Sequence, residues 1–259
     1  MNWKSYFNEA DVADIERRGI SLDVLLNQLK KFRDGIPPVK LKRPATIGDG
    51  IQQIPEEKQG EFISLFQQEA QKGRFLKFVP ASGAATRMMK TLVKVYHECR
   101  PLTMEEVTRR ARDGDSEYQQ LLTFFENLPR FAFYEDLKEE LSKSQKQLEQ
   151  LIKQGQLEDI LATLLLPGGL NYAQLPKGLI KFHRYPDGAR TAFEEHLVEA
   201  LNYAVDSTGH ARVHFTVNPH FEKDIREYLQ SVSPKYEGTN HHLEITYSFQ
   251  KPSTDTIAV

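Results

Sequence analysis

Between residues 75 and 97 the apolar pattern changes period across a run of small residues, and this stretch limits the possible folds more than any other. Phe75-Leu76-Lys77-Phe78-Val79 is short, apolar and β-prone. Pro80-Ala81-Ser82-Gly83-Ala84-Ala85 carries almost no side-chain bulk. From residue 86 to residue 97, Met88, Met89, Leu92, Val93 and Tyr96 recur at helical spacing. The pattern predicts strand, tight loop, helix. A second unit of the same kind covers residues 213–217, turns at Asn218-Pro219 and continues into a helix carrying Phe221, Ile225 and Leu229. Strands alternating with helices predict an α/β fold with a largely parallel sheet.

The flanking segments read differently. Asn8 opens a first helix that closes at Gly19, and Ser21 opens a second that closes at Gly35. In the second, Leu22, Leu25, Leu26, Leu29 and Phe32 form an apolar stripe, expected to be ordinary core packing. A third helix starts near Pro55, is expected to turn Phe62, Leu65 and Phe66 inward, and stops at Gly73. From residue 99 to residue 166 the chain is rich in Glu, Gln, Lys and Leu with no convincing strand, and it begins with the capping pattern Thr103-Met104-Glu105-Glu106. The expected organisation is a helical region over 1–74 packing on a core made of 75–98 and 167–259, with 99–166 as a helical insertion.

Composition narrows the partners. With 259 residues, 39% hydrophobic and 27% charged, the chain has enough apolar surface for a sizeable core. A formal net charge of -2 creates no global field for nucleic acid or an anionic membrane. Any phosphate binding must therefore be local. The single Cys99 rules out an intrachain disulfide, and no run approaches the roughly 18 apolar residues of a membrane span, so a cytoplasmic location is expected.

The small-residue loop is the best candidate for chemistry. Ser82, Gly83, Ala84 and Ala85 let a ligand approach the backbone, and the helix that follows points its free N–H groups and positive dipole end at the same place. Ser82 and Thr86 add hydroxyls, and Arg87 and Lys90 add cations. The stretch lacks the Gly-Lys pair of a P-loop, the three glycines of a dinucleotide fingerprint and the glycine two residues before the serine of a hydrolase elbow. Composition alone leaves a purely structural turn open. A second cluster, Lys177, Lys181, His183, Arg184 and Arg190, repels itself unless an anion or carboxylates neutralise it. The eight histidines, among them His210, His214, His220, His241 and His242, show no converging ligand set, and metal ligands stay unassigned.

Residues 78–88 resemble the Gly-rich signature of sugar nucleotidyltransferases. Pro176-Lys177-Gly178-Leu179, then Pro186-Asp187-Gly188 and a helix, resembles the Pro-Lys-Gly segment of the UDP-N-acetylhexosamine pyrophosphorylase branch, and Phe249-Gln250-Lys251-Pro252 resembles its Phe-x-Gln segment. Nearly end to end, the chain also resembles the bacterial DUF4301 proteins, whose name carries no reaction. Its strings include Arg43-Pro44-Ala45-Thr46-Ile47-Gly48-Asp49-Gly50 and His214-Phe215-Thr216-Val217.

The resemblance implies a Rossmann-like nucleotide-diphospho-sugar transferase fold of GT-A type. It also implies transfer of a nucleotidyl group from an NTP, UTP favoured, to a sugar 1-phosphate. By that analogy the Ser82 to Ala85 backbone cradles the phosphates, Arg87 and Lys177 are catalytic, Gln250 faces the base, and Lys90, Lys181 and Arg190 are secondary phosphate contacts. Mg2+ enters by the same analogy, with Asp187 and Asp255 as possible ligands. The resembled signature has glycine where Ala85 stands, and the resembled enzymes continue past the Gln-Lys-Pro segment, so an incomplete catalytic unit is expected. The alternatives are a nucleotide-sugar-binding domain without turnover and a helical interaction scaffold.

Overall fold

The computed structural model describes residues 6–98, 100–238 and 240–251. Cys99, Asp255 and the last eight residues of the expected core segment lie outside them. The chain forms two compact units, one running to Glu69 and resuming at Phe249, the other Ala70–Ser248.

The first unit holds α1 (Glu9–Arg17), α2 (Leu22–Asp34), the two-residue strands β1 (Thr46–Ile47) and β2 (Gly50–Ile51), and all but the last two residues of α3 (Glu56–Gln71). Local chemistry sets the ends. The Asn8 side chain accepts the Asp11 N–H and the Asp11 carboxylate accepts the Asn8 N–H, both at 2.9 Å, a reciprocal cap. Gly35, at φ 77°, ends α2 in a conformation that disfavours a side chain. Within this unit, among the described residues, nothing covers the apolar stripes. None of the three helices has a buried residue, and Phe32, Phe62, Leu65 and Phe66 are 52%, 48%, 51% and 42% exposed. Periodicity specifies an apolar face, but it does not supply the layer that would cover it.

The second unit has two cores. In the helical one, α4 (Thr86–Glu98), α5 (Met104–Arg112), α6 (Ser116–Glu126), α7 (Tyr134–Lys143), α8 (Leu148–Lys153) and α9 (Leu157–Leu165) bury Met89, Leu92, Val95, Leu121, Leu161 and their neighbours. Thr103 caps α5 by accepting the Glu106 N–H, and α4 packs against α6 and α9.

The other core is built on β3 (Lys77–Pro80), β6 (His210–Val217) and β7 (His242–Phe249), in that order across the sheet, backed by α10 (Ala192–Tyr203) and α11 (Glu222–Val232). β3 and β6 are parallel, from Lys77 opposite Val213 to Pro80 opposite Thr216. Contacts between β6 and β7 advance in step, His214 with Thr246 and Thr216 with Ser248, which is a parallel register as well. Alternate β6 residues, Ala211, Val213, Phe215 and Val217, are buried with Phe193, Leu197, Ile225 and Leu229. The antiparallel hairpin of β4 (Lys181–Tyr185) and β5 (Gly188–Thr191) leads into α10. This is a mixed α/β fold with a small parallel sheet. Among the described residues no helix is long and apolar enough to cross a membrane.

One carboxylate shapes the entry to β6. Asp206 accepts the Thr208 hydroxyl at 2.6 Å and the Thr208 and His210 N–H groups at 2.9 and 3.0 Å. The Thr208 hydroxyl, helped by those N–H groups and Arg212, holds the Asp206 pKa down to about 2 from its ordinary 3.8. A depressed carboxylate stabilises the fold fully above its unfolded value and loses that contribution as pH falls through the folded one. Replacing Asp206 with Ala should therefore lower the free energy of urea unfolding at pH 7 by about 2 kcal/mol. The gap between wild type and variant should close from pH 4 to pH 2, and equal urea midpoints at pH 7 would refute this role.

Candidate functional site

The site is assembled where the two cores of the second unit meet. At the end of β3 the Ala81 N–H still donates to Thr216 C=O at 2.7 Å, and the chain then leaves the sheet. Pairing resumes with another partner. The Lys177 N–H donates to Gly83 C=O at 2.9 Å and the Ala85 N–H to Leu175 C=O at 3.4 Å, an antiparallel bridge centred on Ala84 and Pro176. Ala85 is buried in the helical core, 1% exposed, and anchors the start of α4.

This arrangement leaves donors over. Among the described residues, the main-chain N–H groups of Ser82, Gly83, Ala84, Thr86 and Arg87 have no hydrogen-bond partner. Gly83, Ala84, Thr86, Arg87 and Lys90 are exposed, and neither Arg87 nor Lys90 is in an ion pair there. Free N–H groups at a helix start, with cations beside them, favour negatively charged oxygens.

Lys177 comes to the same place. It opens a short 3-10 turn, Lys177–Leu179, and lines a cavity of about 210 Å3 together with Pro80, Ala81, Gly83, Phe182 and His196. The rest of the basic cluster is occupied. Lys181 is paired with Asp136 at 2.7 Å, His183 Nδ1 lies 3.1 Å from Glu195, and Arg184 donates to Pro129 C=O at 3.2 Å. Arg190 meets Asp187 at 3.3 Å and lies over the Tyr185 ring. Lys177 alone of these five has no such partner among the described residues. Lys181 and Arg190 do not line the cavity, and Gln250 falls in the other unit.

His196, which the sequence reading passed over, stands in the cavity wall. Its Nδ1 lies 3.1 Å from Glu199 Oε2, and Glu199 is also bound by the Lys77 ammonium. The Lys77 hydrogen bond, with His196 adding to it, keeps Glu199 below the usual carboxylate range. An ionised Glu199 places the ring proton on Nδ1 and leaves Nε2 able to accept a proton or, when charged, to meet a phosphate oxygen. The sequence signal was His-x-x-Glu, one helical turn on α10.

The wall of this cavity has no carboxylate, and the described residues contain no group of three or more His, Cys, Asp or Glu able to hold a metal. Asp187 is bridged by Arg190 and by Lys235 at 3.8 Å. Among the described residues, those lining this cavity offer no carboxylate to a resident Mg2+, and Asp255 lies outside the described residues.

These features define a mixed α/β protein whose small-residue loop and one unpaired lysine face a shared cavity. The sequence model described as a domain of unknown function, DUF4301, matches residues 8–259, and the chain belongs to that family. No curated protein and no solved structure matches it.

Gly178 secures the geometry. A Cβ there would run into the ring of Phe193, which is fully buried and edge-on to Phe215 at 5.0 Å. Gly178→Ala should destabilise the protein by about 1–3 kcal/mol through overpacking. Calorimetry should show a lowered Tm, and a Tm equal to wild type would mean the turn has room to spare.

Proposed function

We propose that this chain binds the phosphates of an NTP or nucleotide-sugar in the cavity between the 81–85 loop and Lys177, and that it transfers a nucleotidyl group to a sugar 1-phosphate. The observation that carries the reading is the pairing of 83–85 with 175–177, which leaves N–H groups of the loop unpartnered and brings Gly83 and the unpaired Lys177 into the wall of one cavity. A volume of about 210 Å3 is below the roughly 300 Å3 at which pockets begin to take whole drug-sized ligands. It suits phosphate groups, with base and sugar lying outside. The resemblance of residues 78–88 and 176–179 to the nucleotidyltransferase segments supports the same reading, as does the small parallel sheet that a Rossmann-like GT-A fold would contain.

In the reaction, a phosphate oxygen of the sugar 1-phosphate attacks the α-phosphorus of UTP. The new P–O bond forms as the α–β bond breaks, and pyrophosphate leaves. The chain's own contribution is positional and electrostatic. Main-chain N–H groups of 82–84 hold the phosphate oxygens, Lys177 meets them across the cavity, and Arg87 offsets charge on the departing pyrophosphate. His196 Nε2, with its ring oriented by Glu199, adds a hydrogen bond to phosphate.

A second reading, binding without turnover, draws support from the carboxylate-free wall, since any Mg2+ would have to arrive on the nucleotide itself. Titration calorimetry with UTP should show Lys177→Ala and Arg87→Ala each weakening binding by roughly tenfold or more, while Lys181→Ala, whose ammonium is already paired, stays near wild type. UTP binding unchanged in both of the first two variants would rule out the proposed site. Binding without pyrophosphate release from UTP and a sugar 1-phosphate would select the second reading.

A further inference from the structure

On the helical side of the second unit lies another cavity, of about 350 Å3, between α4, α6 and the β4 strand. Its wall is mainly methionine and phenylalanine, with Met88, Met89, Phe124, Phe131, Phe133 and Phe182 contributing. At its mouth Met88 and Phe182 stay 43% and 38% exposed. Large apolar side chains left open around a concave space, including the adaptable thioethers of methionine, suit an apolar guest.

The polar groups narrow the guest further. Thr91 and Gln120 satisfy each other at 3.0 Å, and Lys181 is neutralised by Asp136. Arg130 is not neutralised. Its hydrogen bond runs to the neutral Asn127 side chain at 3.0 Å, and it has no carboxylate partner among the described residues. Arg184, bound to the carbonyl of Pro129, adds a second guanidinium one residue away. An apolar space with unpaired guanidinium at its edge favours an anionic guest over a neutral or cationic one.

We propose that this cavity binds an anionic amphiphile, with an apolar chain or ring system among the methionines and phenylalanines and an anionic head on Arg130. The cavity shares Phe182 with the phosphate-loop cavity but is otherwise lined by other residues, and the proposal stands whether or not UTP binds there.

The test uses two fluorescent probes with the same rings on the full chain: 1-anilinonaphthalene-8-sulfonate, which is anionic, and N-phenyl-1-naphthylamine, which is neutral. Both should bind, the sulfonate more tightly. Ala132→Trp, which fills the cavity, should abolish the specific signal of both. Arg130→Gln, at an exposed position that leaves the core intact, should weaken the sulfonate roughly tenfold and leave the neutral probe within about twofold. Competition by dodecanoate or by dodecyl phosphate then assigns the head as carboxylate or phosphate. Several results would overturn the proposal. One is sulfonate binding untouched by Arg130→Gln, which would place the probe on exposed apolar residues such as those of α3. Another is displacement by neither competitor.

Discussion

Two main-chain hydrogen bonds, Lys177 N–H to Gly83 C=O and Ala85 N–H to Leu175 C=O, hold the candidate site together. The 81–85 loop has little side-chain bulk with which to fix its own shape, and small residues carry a large conformational entropy to be lost. Its form is set from outside, by β6 at Ala81 and by the 175–177 segment at 83–85. The segment is positioned in turn by its neighbours, since Ile180 is buried in the helical core and Leu179 packs on the sheet core. The loop therefore depends on both cores, with Ala81 packed on one and Ala85 buried in the other.

The same pairing resolves a charge problem visible in the sequence. Five basic residues between 177 and 190 cannot all face one another without compensation. The fold pairs them one at a time, with Asp136 from α7, Glu195 from α10, and Asp187 beside its own hairpin turn. Most of these pairs are partly exposed, so each contributes little to stability. Their larger effect is to leave a single ammonium, that of Lys177, over the loop. Spacing along the chain cannot show this, because Asp136 is 45 residues from Lys181.

Legibility followed range. Asn8 and Thr103 marked helix starts because each caps a residue three positions on, Ser21 stands at the start of α2 without a side-chain cap bond, and the period change at 75–97 located β3 and α4. β7 was also readable, with Leu243, Ile245 and Tyr247 alternating against polar neighbours, yet the sequence reading took only its end. Tertiary cover was not legible. The stripes on α2 and α3 are amphipathic as expected but contribute no buried residue, because amphipathicity sets a direction and leaves the partner open. His196 was missed for the opposite reason. Its His-x-x-Glu spacing points to no site until the fold puts His196 in the wall of one cavity with Gly83 and Lys177.

Ala85 is where the sequence departs from the nucleotidyltransferase signature, and the structure gives a physical reason for the departure. At 1% exposed, and packed with Met89 and its neighbours, it belongs to the helical core and does not line the loop cavity. Its methyl group therefore does not narrow that cavity. Glycine at this position would forfeit about 0.8 kcal/mol of apolar burial and loosen the junction between loop and helix. Alanine suits a chain in which the layer of helices α5 to α9 shares one apolar core with the start of α4. A fold without that layer would have no apolar surface there for a methyl group to cover.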